Sequence, residues 1–95
     1  RALARDLAAA RTASEQRSAL ATYLGARSGE TAHAWIGRPR AEFRDRAGDH
    51  LAPEAAEALA SQLQALDVAV HAQGDAAVDP APLQALAARL RKEGL

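Results

Sequence analysis

The 95-residue chain has no cysteine and no methionine, and its aromatic side chains are one tryptophan, one tyrosine and one phenylalanine. Without cysteine there is no disulfide, thiol nucleophile or thiolate metal ligand, and the redox compartment leaves no mark on the sequence. An excess of charge of either sign is lacking too. Twelve basic and twelve acidic residues cancel, so no net field steers the chain toward nucleic acid or anionic lipid. No apolar run approaches the roughly 20 residues of a membrane span, and no signal peptide opens the sequence. Alternating apolar and polar runs of the β type are missing, as is any fixed-period repeat.

What the chain does contain is helix-forming material, with twenty-seven alanines and twelve leucines. A burial of one leucine contributes roughly 1.5–3 kcal/mol and an alanine far less, so the expected domain is marginally stable, with alanine filling the closest helix contacts. At this length a single domain with one modest core is expected, spanning 1-95. The opening run from Arg1 to Arg11 lacks a starting methionine and already reads as helix interior, which suggests a domain excised from a longer protein.

The spacing predicts an all-α, single five-helix bundle with a long central fourth helix. The first helix places Leu3, Leu7 and Ala10 on one stripe and stops near Thr12 to Ser14. Thr12 and Glu15 fit a capping box for the second helix, with Ser14 as an alternative N-cap. That helix carries Leu20, Tyr23 and Leu24 and ends at Gly29, although Gly25 in its last turn weakens it by about 1 kcal/mol relative to alanine. Glu30 to Arg38 form the least regular stretch, read as a short helical turn around Trp35 and Ile36 closed by Gly37. Pro39 opens a short third helix over Arg40 to Ala47, with Phe43 and Ala47 facing inward.

Pro53, Glu54 and Glu57 mark the start of the fourth helix, whose Leu59, Leu63, Leu66 and Val70 recur at i, i+4, i+7 and i+11. It ends near Gly74. After a loop, Asp79 caps the last helix, Pro80 opens it, and Leu83, Leu86 and Leu90 share a face. Pro82 lies in the first turn and leaves the helix intact.

Catalytic patterns are sparse. His33, His50 and His71 lack a second histidine or cysteine at i+3 or i+4, whereas a metal site needs at least three converging ligands. His71, at the end of the fourth helix, reads as a partner of its C-terminal carbonyls. The serines have no nucleophile elbow, and the carboxylate pairs Asp45 with Asp49 and Glu54 with Glu57 suit helix ends. The run from Gly74 to Pro80 lacks the spacing of a calcium loop. The expectation is a chain that is not an enzyme and takes no cofactor or metal.

Two features invite a partner. Trp35 and Ile36 stand in an irregular stretch and form a candidate contact, the competing reading being a tryptophan that plugs the bundle. Arg38, Arg40 and Arg44, with Arg46, form the densest charge cluster. Glu42 and Asp45 interleave with them, which favours a solvated helix face, and contact with phosphate, lipid headgroups or nucleic acid is the alternative. Asp67, between Leu66 and Val68, suits a hydrogen bond to a neighbouring helix.

The run Ala19-Leu20-Ala21-Thr22-Tyr23-Leu24-Gly25-Ala26-Arg27 precedes a long helix reading Leu59-x-x-x-Leu63-x-x-Leu66-Asp67-x-Ala69-Val70-His71-Ala72-x-Gly74, then a leucine-rich last helix. This order resembles the C-terminal helical domain of the bacterial aerotolerance, or oxygen tolerance, BatD family. His71 stands where that family commonly has an aromatic. The resemblance implies a non-catalytic protein-interaction or scaffolding module at the cytoplasmic face of the inner membrane, anchored by an upstream span of the parent chain. It also implies MoxR-type ATPases and von Willebrand factor A-domain proteins as partners, and transfers no catalytic residue.

Overall fold

Leucine decides the fold. The computed structural model describes residues 2–29, 31–36, 52–72 and 74–92, and every leucine within them, ten in all, is at most 7% exposed. They are carried by four helices: α1 (Ala2–Ala9), α2 (Ala13–Ser28), α3 (Pro53–His71) and α4 (Pro80–Lys92). A single helical turn, Ala32–Trp35, follows α2. No strand occurs among the described residues, and one isolated antiparallel bridge joins Thr12 to Ala76. The structure is therefore all-α and bundle-like, but its described helices number four rather than the five expected. The expected third helix over Arg40 to Ala47, with Phe43, lies outside the described residues, as do Gly37, His50 and Gly94.

Each helix begins and ends where local chemistry dictates. At the start of α2, Thr12 is the N-cap with extended backbone, and its hydroxyl accepts the Glu15 amide at 3.1 Å. The Glu15 carboxylate reaches back to accept the Arg11 amide at 2.7 Å. Glu15 thus bonds the residue before the cap, one position earlier than in the usual capping box. Gly29 closes α2 at φ 78, donating to the Gly25 carbonyl, a left-handed conformation that glycine adopts without cost. α1 ends at Ala9, short of the expected stop near Thr12 to Ser14, because Thr12 is already committed to capping α2.

α3 has no side-chain cap. Pro53 occupies its first position, where the missing N–H is no loss, and the Ala52 carbonyl accepts from Ala55 and Ala56. α3 stops at His71, before the expected Gly74. Asp79 caps α4 as expected, accepting the Ala81 amide at 3.0 Å.

The helices close into a ring in which α2 packs on α1 and α3, and α4 packs on α1 and α3 in turn. The molecule measures 36 × 26 × 23 Å. Leu59, Leu63 and Leu66 of α3 meet Leu20 and Leu24 of α2 and Leu83, Leu86 and Leu90 of α4 in one core. Buried alanines Ala21, Ala55, Ala56, Ala60 and Ala87 complete it, a small-residue packing that lets helix backbones approach closely. The Gln84 amide donates to the Ala4 carbonyl at 2.9 Å, fastening α4 to α1.

Candidate docking groove

The tryptophan singled out from the sequence belongs to the interior. Thr31 caps the Ala32–Trp35 turn through both its hydroxyl and its carbonyl, which accept the Ala34 amide. This turn packs on α2 and delivers the indole into the core at 1% exposure. Trp35 therefore offers no face to a partner in this conformation, and Ile36 is partly buried against the same core. The remaining candidate contacts, Arg38, Arg40 and Arg44, lie outside the described residues.

Two polar groups on α3 take the structural roles expected of them. The Arg17 guanidinium bonds Asp67 at 2.7 Å, tying α2 to α3. His71 Nδ1 lies 2.8 Å from the Asp67 carbonyl oxygen, one turn back at the C-terminal end of α3.

A larger polar feature escaped the sequence. Residues 74–78 bind the first turn of α2 with five hydrogen bonds. The Ala13 amide donates to the Asp75 carbonyl at 3.2 Å. The Ser14 amide and hydroxyl donate to the Asp75 carboxylate at 3.0 and 2.6 Å. The Gln16 side chain exchanges two bonds with the Val78 backbone, at 3.0 and 2.9 Å. Gln16 is 2% exposed, so its amide has to be satisfied within the protein, and both of its polar ends are. Asp75 adopts φ 46, a left-handed conformation tolerated by Asp. Its carboxylate meets the free amides at the start of α2, where the helix dipole favours negative charge. The one available sequence signal was Gln16 on the stripe of Leu20 and Leu24.

The concavity of interest lies between α1 and α2. Ala9 and Ala10 at the end of α1 face Ala19 across a shallow groove of about 320 Å³. It exists because methyl side chains fail to fill the valley between two helices joined by a short corner, where leucine would close it. Asp6, Glu15 and Ser18 form its rim. Both charged residues of the lining are acidic. Glu15 is held in place by its bond to the Arg11 amide, and the Asp6 carboxylate has no partner among the described residues.

Among the described residues no group of three histidine, cysteine, aspartate or glutamate side chains is placed to hold a metal ion, and no helix is long and apolar enough to cross a membrane. No family model matches the chain, and neither the curated proteins nor the solved structures contain a match.

Proposed function

We propose that the chain is a non-catalytic protein-interaction or scaffolding domain that receives a partner helix in the α1–α2 groove. The groove itself is the observation that carries this reading. It is concave, floored by alanine and open to solvent, while the large apolar side chains that could form a flat sticky patch are turned inward. Among the described residues Val68 is the one large hydrophobic left exposed. A helix can lay small apolar residues against such a floor at i, i+3 and i+4 spacing.

The resemblance to BatD-like proteins extends the proposal to a biological setting. The domain would be the cytosol-facing tail of an inner-membrane protein linked to oxidative-stress tolerance, and its partners a MoxR-type ATPase or a von Willebrand factor A-domain protein. The test is direct binding between the purified domain and purified proteins of these two classes from the same genome. Ala9 is exposed, so Ala9→Trp fills the groove without entering the core. Binding by the native domain that Ala9→Trp abolishes, with an unchanged melting curve, supports the reading. An absence of binding to both classes removes the family setting, and binding indifferent to Ala9→Trp removes the groove.

A further inference from the structure

We infer that residues 74–78 form a strap that opens as a unit while the helices stay assembled, and that its opening lets α3 wind on through Ala72. The inference stands apart from the docking reading. Gly74 and Asp75 hold successive left-handed conformations, at φ 89 and φ 46. From there the strap crosses the first turn of α2 and makes the five hydrogen bonds described above. Little apolar burial backs them. Gly74, Ala76 and Ala77 are exposed, and the strap's contact with the core is the partly buried Val78. Each hydrogen bond replaces one made to water and gains little on balance, so releasing the strap costs far less than releasing the leucine core.

The same contacts set the end of α3 against its own sequence. The leucine and alanine pattern carries that helix toward Gly74, and alanine has the highest helix propensity of any residue. Ala72 nevertheless stands outside the helix with extended backbone, φ -77 and ψ 155, and its amide bonds the Ala69 carbonyl three residues back. Local preference and tertiary contact therefore disagree here. The Asp75 amide donates to the Ala72 carbonyl at 3.2 Å, which ties that disagreement to the strap. Once the strap is released, the Ala72 amide can take the Val68 carbonyl, the i−4 partner of a continuing helix, and this gain offsets part of the opening cost. Opening uncovers Ala13 and Gln16, which are 0% and 2% exposed in the closed form, and returns the first amides of α2 to solvent.

The experiment is native-state hydrogen exchange of the whole chain, read amide by amide in low urea. The Ala13, Ser14 and Val78 amides donate across the clasp, to Asp75 and Gln16, and the first amides of a helix have no carbonyl partner within it. The expected result is one shared opening free energy for these three amides, below that of the Leu59 and Leu63 amides. Its urea dependence should be close to nil, because little surface is exposed. Gly74→Ala removes no contact, since a Cβ there meets nothing within 4 Å, but it penalises the left-handed backbone of the closed strap. It should speed exchange at the three amides about tenfold and leave the Glu15 amide, held by the Thr12 hydroxyl, unchanged. In the Asp75→Ala, Gln16→Ala chain, which loses four of the five bonds, the Ala72 Cα chemical shift should move to the helical side. Exchange of the three amides in step with Leu59 and Leu63, with the same urea slope, would mean that the strap releases only on global unfolding and would overturn the inference. Indifference of all three to Gly74→Ala does the same, and an Ala72 shift that stays extended in the double variant overturns the winding of α3.

Discussion

The leucine seam along α3 and the polar corner at the start of α2 hold the same bundle together by opposite means. Along the seam, Leu59, Leu63 and Leu66 gain free energy simply by leaving water, and each contributes whatever its neighbours are, provided the volume is filled. At the corner, Gln16, Ser14 and Asp75 gain little on balance, since each bond replaces one made to water. Their leverage appears when a partner is lost, because a buried donor or acceptor left alone costs more than the bond was worth. The seam thus supplies most of the stability, and the corner specifies where the α3–α4 loop must sit. A bundle so rich in alanine needs the second contribution, since methyl-lined helix faces can slide past one another with little change in contact.

The comparison can be broken first on the apolar side. Trp35→Ala removes the largest buried side chain and is expected to cost about 3–5 kcal/mol, and Leu59→Ala about 2–5 kcal/mol. Against a total stability of roughly 5–15 kcal/mol, either should lower the urea midpoint steeply. A Trp35→Ala protein that melts like the native one would return the indole to the surface.

A smaller loss should follow at the corner. Gln16→Ala strands the Val78 amide and carbonyl, with an expected cost of about 1–3 kcal/mol. If its melting point matched the native protein, the corner would be ornamental. Asp75→Ala takes away the acceptor of the Ser14 amide, and an effect of about 0.5–2 kcal/mol, typical of a lost cap, is expected by thermal unfolding. The mildest change is Arg17→Ala. Its ion pair with Asp67 is half exposed on the acidic side, and the Arg17 Nε is buried without a partner, so the net effect should stay within about 1 kcal/mol in either direction. A double-mutant cycle of Arg17→Ala with Asp67→Ala would measure the pair itself.

What could be read from the sequence divides along the same line. The leucine stripes were legible because burial imposes a 3.6-residue period, and Gly29, Pro53, Asp79 and Thr12 were legible because caps depend on residues two to four positions away. His71 was placed for the same local reason, whereas Asp67 was placed by its position between Leu66 and Val68 and its partner Arg17, 50 residues away, was not named. Asp75 was read only as loop, because its partners on α2 lie 61 residues away and no periodicity encodes such a distance. Trp35 was ambiguous, since an indole in an irregular stretch fits a plug and a contact equally well until its burial is known. The groove was hidden in composition. Alanine content announces shallow valleys in general, but only the short α1–α2 corner decides that Ala9, Ala10 and Ala19 share one, and that Asp6 and Glu15 stand on its rim.

The long reach of the corner's hydrogen bonds has a kinetic consequence. Bringing Val78 to Gln16 closes a separation of 62 residues, and the entropy of that closure is spent before any of the bonds form. Neighbouring helices can dock much earlier through local contacts, so the corner should fasten after the rate-limiting step, with φ-values near zero. In a chevron, Gln16→Ala would then raise the unfolding arm and leave the refolding arm in place. On that account the corner acts as a clasp that sets how long the assembled bundle persists, and has little part in how fast it is found.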